Sequence, residues 1–100
     1  MTRKPLDEEL LEDSHIFLHP ERYRIMELLA EKPMHINAIS SAMGMERRIV
    51  AFHLQSLEES GFVTSKYEIS EQPKLKGKAL RVYTATDKIA RVLSELKKQL

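Results

Sequence analysis

The sequence predicts a mainly α-helical protein with a small β-sheet. Helical periodicity on both sides of Gly44 is the first observation. Before this glycine the apolar residues at helical spacing are Ile39, Ala42 and Met43, and after it they are Val50, His53, Leu54 and Leu57. The second observation is that residues 62–69 and 79–84 are rich in β-branched and aromatic side chains and flank a segment with Pro and Gly. About five helices, a two-stranded ribbon and one short strand account for this pattern.

The first third of the chain predicts two helices and one short strand. Residues 5–13 have the pattern of a short amphipathic helix, and residues 16–18 are interpreted as an apolar link. Pro20 suits the first turn of the next helix, because its missing N–H costs nothing there. This second helix is predicted over residues 21–32, with Arg22 among its outward residues. Residues 34–36 then predict one short strand.

Three further helices follow. Asn37 is predicted to cap the first of them, because its side-chain oxygen can accept from an unpaired backbone N–H in the first turn. Gly44 can adopt the left-handed conformation that ends a helix, and Gly61 is predicted to close the next one. Thr86 or Asp87 is expected to cap the last helix.

The two helices around Gly44 have the layout of a helix-turn-helix, whose second helix lies in a DNA groove. We call this second helix the recognition helix. Its residues that are predicted to face DNA are Arg47, Arg48, Ala51, Phe52 and Gln55. Arginine to a guanine edge is the commonest specific contact, and Gln55 can contact adenine or the DNA backbone.

Several side chains allow two interpretations. Phe52 either contacts a thymine methyl group or packs at the edge of the helix, and the same alternatives apply to Ile49. His53 lies on the apolar face, where we expect a hydrogen-bonded core histidine. His15 and His19 have the i, i+4 spacing of a metal-binding pair, but Pro20 follows directly and no further ligand has suitable spacing, so no metal site is predicted.

A two-stranded ribbon that follows a helix-turn-helix is a wing, and here it is basic. Phosphate contact is therefore predicted for the following residues: Lys66, Lys74, Lys76, Lys78 and Arg81. The formal net charge of +1 divides into −4 for residues 1–31 and +5 for residues 32–100. Positive charge thus accompanies the elements that are predicted to face DNA. The order of the predicted helices and strands is that of a winged helix-turn-helix.

Composition restricts the classes of protein to which the chain can belong. One hundred residues predict a single domain over residues 1–100. The absence of cysteine excludes disulfides, thiolate zinc sites and a cysteine nucleophile. No apolar run approaches the roughly 20 residues that span a bilayer, and the acidic N-terminus does not fit a signal peptide, so we expect a cytoplasmic protein. Without a phosphate-binding glycine loop or a Ser/His/Asp arrangement, neither an enzyme nor a cofactor is predicted.

Three runs of residues carry a resemblance to a known family: PERYRIMELL at 20–29, AMGM at 42–45 and VAFHLQSLEESGFV at 50–63. The last run is similar to the pattern V-S-x-H-L-x-x-L-x-x-x-G-L-V of the arsenical-repressor-like (ArsR-like) transcriptional regulators, and the chain resembles these proteins and their archaeal relatives. The resemblance implies a DNA-binding winged helix-turn-helix and a homodimer.

Two departures from the family pattern refine this expectation. Glu46 stands where the family usually has a Ser or Thr cap, so it is expected to cap the recognition helix rather than to contact DNA. The cysteine metal box and the Asp/His ligand pattern of the last helix are both missing, so the resemblance implies no metal sensing. Two alternatives remain open: a winged-helix module for protein–protein contact within a transcription or chromatin assembly, and a sensor whose unidentified effector binds between the first and last helices.

Apolar stripes near the two chain ends predict a dimer interface. Its predicted members are Leu6, Leu10, Leu11, Ile89, Val92, Leu93, Leu96 and Leu100. Burying one Leu or Ile side chain is worth about 1.5–3 kcal/mol, so we expect another protein surface to bury these stripes. A two-fold pair would also present two recognition helices to successive major grooves, about 34 Å apart. The alternative is that both helices fold back onto their own domain.

Overall fold

The computed structural model describes residues 8–69 and 77–99, and this part of the chain contains five helices and three strands. The helices are α1 (Glu8–Phe17), α2 (Pro20–Glu31), α3 (Ile36–Met43), α4 (Arg47–Glu59) and α5 (Lys88–Gln99). The strands are β1 (Met34–His35), β2 (Val63–Ile69) and β3 (Ala79–Ala85). The predicted order of elements and the mainly helical fold are confirmed. None of the described helices is long and apolar enough to cross a membrane.

The three strands form one antiparallel sheet in the order β1-β3-β2. Strands β2 and β3 pair along their whole lengths, from Val63 opposite Ala85 to Ile69 opposite Ala79. Strand β1 adds two further pairs at the base of β3. The sheet is therefore anchored at one end, and the rest of the β2–β3 ribbon extends beyond the helices as the predicted wing.

The core lies where the helices meet the base of the sheet. Its completely buried large side chains include Phe17, Ile25, Ile39, Leu54, Leu57 and Phe62. The rings of Phe17 and Phe62 lie 5.6 Å apart between centroids, so the end of α1 packs directly against the start of the wing. Gly44 adopts φ +66° after α3, as predicted, and the short turn that follows allows α4 to begin at Arg47.

Helix α1 ends four residues later than the sequence predicted, at Phe17 instead of residue 13. The apolar link expected at residues 16–18 was wrong, because the helix continues to Phe17, which is completely buried. Leu10, Ser14 and Phe17 lie on the buried side of α1. The Ser14 hydroxyl donates to the Leu10 carbonyl at 2.7 Å, so this buried polar group has a hydrogen-bond partner. A polar residue in the middle of the stripe concealed its helical period.

Two predicted caps were also wrong. Helix α3 begins two residues earlier than predicted, and His35 occupies the N-cap position, where its Nδ1 accepts from the Asn37 backbone N–H at 3.2 Å. The Asn37 side chain lies inside the first turn and accepts a hydrogen bond from Arg47 instead. Glu46 occupies the N-cap position of α4, but its side chain makes no capping hydrogen bond and lies 3.7 Å from the guanidinium of Arg48.

Candidate nucleic-acid interface

Helix α4 has one buried face and one exposed face. Val50, Leu54 and Leu57 are completely buried, because their i, i+4, i+7 spacing places them on the same side of the helix. The five predicted DNA-facing residues are all exposed along the rest of the helix: Arg47, Arg48, Ala51, Phe52 and Gln55. The packing that holds α4 in place therefore leaves these side chains on the surface of the molecule.

The polar side chains of this exposed face have short-range partners. Arg47 Nη1 donates to Asn37 Oδ1 at 2.8 Å, which connects the first turns of α3 and α4. Within residues 8–69 and 77–99, the ion-pair partner of Arg48 is Glu46, and both side chains are exposed. Exposed ion pairs are worth at most about 1 kcal/mol, so Arg48 can exchange this partner for another anion at small cost. Gln55 Nε2 donates to Glu59 at 3.1 Å.

Two large apolar side chains share the exposed surface of α4. Phe52 is 60% exposed and Ile49 is 42% exposed. The Phe52 ring is not without neighbours, because the Arg22 guanidinium and the His53 ring each lie 5.7 Å from its centroid. Neither side chain belongs to the core.

A hydrogen-bonded network connects the buried face of α4 to α1 and α2. His53 Nδ1 accepts from Arg22 Nε at 3.0 Å, which leaves the ring proton of the neutral imidazole on Nε2. Nε2 then donates to Glu21 Oε2 at 2.9 Å. Arg22 also donates to the Ile16 carbonyl near the end of α1 at 3.3 Å. His53 is thus a core histidine with both nitrogens bonded, whereas Arg22, predicted to point outward, is half-buried.

The same region brings together three groups with metal-binding donor atoms. His19, Glu21 and His53 place one such atom each within 4.8 Å of one another. A cation on His53 Nε2 would move the ring proton to Nδ1, where it would oppose the donor N–H of Arg22. The donor set therefore suits the hydrogen-bonded arrangement better than metal coordination. The pair suggested by spacing is not formed on one helix, since His15 lies in α1 and His19 precedes α2.

A second network joins the end of α4 to the wing. Arg81 Nη2 donates to Glu58 Oε1 at 2.6 Å, and Arg81 Nε donates to Ser65 Oγ at 2.9 Å. The Ser65 hydroxyl donates to the other Glu58 oxygen at 2.6 Å. The guanidinium also lies over the Tyr83 ring, 5.2 Å from its centroid. Burial raises the pKa of the Tyr83 phenol, an effect that Arg81 partly offsets, so this ring remains neutral at neutral pH.

The strand register separates the predicted basic residues of the wing. Lys66 lies opposite Val82, while Arg81 lies opposite Tyr67, so Lys66 and Arg81 project from opposite faces of the ribbon. Lys66 is exposed and lies 3.4 Å from Glu68. Lys78 is exposed directly before β3. The predicted contacts Lys74 and Lys76 lie outside the described residues.

The predicted dimer residues fall into two groups. Leu10 and Val92 are buried within their own chain, while Leu11 remains 49% exposed. The half-buried members of the stripe on α5 are Ile89, Leu93 and Leu96, which pack against the core of the same chain. Part of the stripe is thus covered by the molecule's own helices, as the alternative expectation holds. Leu6 and Leu100 lie outside the described residues.

The helix-turn-helix, the wing and the exposed face of α4 together define a winged helix-turn-helix protein. Residues 19–65 match the model of the bacterial regulatory proteins of the arsR family. This match runs from the residue before α2 to the first half of β2, and so contains the whole helix-turn-helix. The comparison with curated proteins gives no match.

Solved structures share the fold over most of their length. The chain is 20% identical to the homodimeric winged helix-turn-helix DNA-binding domain Mb0332 from Mycobacterium bovis, covering 90% of this chain and 76% of that one at a TM-score of 0.67. It is 18% identical to the ArsR family transcriptional regulator RHA00566, with 92% of each chain covered and a TM-score of 0.70. It is 26% identical to TA0346 from Thermoplasma acidophilum, covering 81% and 80% at a TM-score of 0.67.

The network behind α4 predicts that Arg22 matters for stability although it is charged. Arg22→Ala is expected to lower the free energy of unfolding by about 1–3 kcal/mol, because the buried Nδ1 of His53 loses its donor. Arg24→Ala is the matched control, since Arg24 is an exposed arginine on the same helix, and its effect should stay within about 0.5 kcal/mol. Urea denaturation measures both values, and equal losses would contradict the role given to Arg22.

Proposed function

We propose that the chain is a DNA-binding transcriptional regulator of the ArsR family that acts as a homodimer in the cytoplasm. The observation that carries this proposal is the exposed face of α4, where Arg47, Arg48 and Gln55 lie opposite the buried Val50 and Leu54. A helix in this position of a helix-turn-helix enters the major groove with its N-terminal residues toward the base edges. The match of residues 19–65 to the arsR family model supports the same function.

In this proposal the two arginines at the start of α4 have different roles. Arg48 is exposed and its ion pair with Glu46 is weak, so it is suited to a bidentate contact with a guanine edge. Arg47 is held by Asn37, and this pair is suited to a phosphate beside the groove. Ala51 and Gln55 continue the same surface toward the middle of the helix.

The wing is proposed to lie along the DNA backbone. Lys66 and Lys78 are exposed on the ribbon, and Lys74 and Lys76 belong to the connection between its strands. These lysines are proposed to contact phosphates, which fix the orientation of a protein on the duplex without selecting its sequence. Arg81 is proposed to support the wing by holding Glu58 and Ser65, and to contact DNA only at its exposed edge.

The chain is further proposed to belong with the archaeal-type members of this family that lack the metal sites. The absence of cysteine supports this assignment, because a thiolate metal box cannot be built without it. The hydrogen bond from Arg22 to His53 Nδ1 also disfavours metal binding by the cluster of His19, Glu21 and His53. Regulation through DNA binding would then depend on a signal other than a thiolate-bound metal.

Dimerisation is proposed to involve α1 and α5. Leu11 is exposed on α1, and the half-buried Ile89, Leu93 and Leu96 line α5 nearby. Leu10 and Val92, on the same two helices, are buried in the core of their own chain, so they do not belong to the exposed part of this surface. The homodimeric state of the similar Mb0332 domain supports the proposal.

Alanine substitutions at the start of α4 test the recognition helix. Arg48→Ala is expected to weaken binding to an operator selected from genomic fragments by about 1–3 kcal/mol, and to relax sequence preference at one position. Arg47→Ala should weaken binding with less change in preference. Arg24→Ala, on the far surface of α2, is the control. Fluorescence anisotropy measures the affinities, and parent-like binding by both variants would contradict the proposed orientation of α4.

Salt titration tests the wing. Each phosphate contact that is lost should reduce the slope of log affinity against log salt by roughly 0.9. Replacing Lys74, Lys76 and Lys78 together by alanine is expected to flatten the slope while sequence preference is kept. Replacing Lys97 and Lys98, which lie on α5 outside the wing and the recognition helix, provides the control, once sedimentation shows that this variant keeps the oligomeric state of the parent. An unchanged slope for the wing variant would show that these lysines do not contact phosphate.

Sedimentation equilibrium tests the dimer. The parent is expected to be dimeric at tens of micromolar, and the double variant Leu11→Glu, Leu96→Glu to be monomeric, because each substitution places a charge in the proposed apolar interface. Tyr67→Glu, on the exposed wing, should remain dimeric. Val92 is left unchanged because its burial in the core would confound folding with assembly. A monomeric parent, or a folded double variant that stays dimeric, would refute this interface.

A further inference from the structure

The two large exposed apolar residues of α4, Phe52 and Ile49, form a surface that the proposed arginine contacts do not use. We call this surface the apolar patch. We propose that the apolar patch recognises the 5-methyl groups of thymine in the major groove, with Phe52 as the principal contact. This inference rests on the proposed DNA-binding function and adds a requirement for thymine at defined positions of the half-site.

Exposure supports a binding role for the patch. Helix α4 contains five large apolar side chains, and three of them, Val50, Leu54 and Leu57, are completely buried. Phe52 and Ile49 are the other two, and they remain 60% and 42% exposed. Since they are three residues apart on a helix, their side chains are neighbours on its surface. Core packing therefore does not account for either of them.

The surroundings of Phe52 hold its ring in place. The Arg22 guanidinium lies 5.7 Å from the ring centroid, and the His53 ring meets it at an interplanar angle of 62°. Arg22 and His53 are themselves joined by a 3.0 Å hydrogen bond. One side of the aromatic ring thus contacts groups whose positions are fixed, and the other side is exposed. A side chain ordered in advance loses less conformational entropy when it binds.

Charge identifies the occupant of the patch. Arg48 lies one turn before Phe52, and Arg47 begins the same helix. A second protein surface covering the patch would also have to desolvate these cations, whereas a DNA groove is lined by phosphates that pair with them. Among the groups that the major groove presents, the thymine methyl is the apolar one. An apolar patch next to the arginines at the start of α4 therefore fits a thymine that lies beside phosphate and guanine.

Deoxyuridine provides the test, because it pairs as thymine does and lacks only the 5-methyl group. A half-site is first selected from random duplex DNA with the purified full chain, and each thymine is then replaced singly by deoxyuridine. For the parent protein, one or two replacements should weaken binding by about fourfold each, which is the factor expected for one buried CH₂-sized group. In Phe52→Ala the same replacements should change affinity by less than about twofold.

Leu18→Ala is the matched control protein, because Leu18 is as exposed as Phe52 but lies between α1 and α2. It should keep the parent's dependence on the methyl groups. Phe52→Gln, which replaces the ring by a polar side chain that favours helix, gives the same comparison if the alanine variant proves less stable. Thermal unfolding of each variant verifies that it is folded before affinities are compared.

The possible results separate this inference from the function on which it rests. If the parent protein binds every deoxyuridine-substituted half-site with unchanged affinity, the methyl contact is refuted while DNA binding is not. Equal methyl dependence in the parent and in folded Phe52 variants would also overturn it, by assigning the methyl contact to another residue. Failure to select any DNA would refute the DNA-binding function itself. Methyl dependence that disappears with Phe52 and persists in Leu18→Ala would establish the contact.

Discussion

The burial of one face of α4 is the constraint on which the rest of the structure depends. Val50, Leu54 and Leu57 are completely buried, so the helix cannot rotate about its axis without exposing apolar area. Each such side chain is worth about 1.5–3 kcal/mol, which is a large part of the stability of a small domain. The direction in which Arg48 and Phe52 point is therefore decided by residues that would never contact a ligand.

Polar contacts then fix α4 along its length. Asn37 holds the first turn through Arg47, Arg22 and Glu21 hold the middle through His53, and Arg81 holds the end through Glu58. These partners belong to α3, α2 and β3, respectively, so each of these three elements is connected to α4 separately. Individually such bonds contribute only about 0.5–3 kcal/mol. Together they give the helix a defined position relative to both the turn and the wing.

The elements that follow from local pattern could be predicted from the sequence. Gly44 and the apolar series after it identified the turn and α4, and the β-branched runs identified the wing strands. Contacts between distant residues could not be predicted, because no local signal connects Arg22 with His53, which follows 31 positions later. The position of Ser14 inside the apolar stripe of α1 concealed the continuation of the predicted helix to the buried Phe17. His35 was missed as a cap because histidine is not among the favoured capping residues.

Helix α1 connects the DNA-facing surface with the surface proposed for dimerisation. Its Ile16 carbonyl accepts from Arg22, which also contacts His53 and the Phe52 ring. About one turn earlier on the same helix, Asp13 lies 3.1 Å from Lys88 Nζ at the start of α5. Helix α1 thus contacts both the side chains that hold α4 in place and the first residue of α5. In the proposed dimer, the same helix would contribute to the separation of the two recognition helices, which has to match successive major grooves about 34 Å apart.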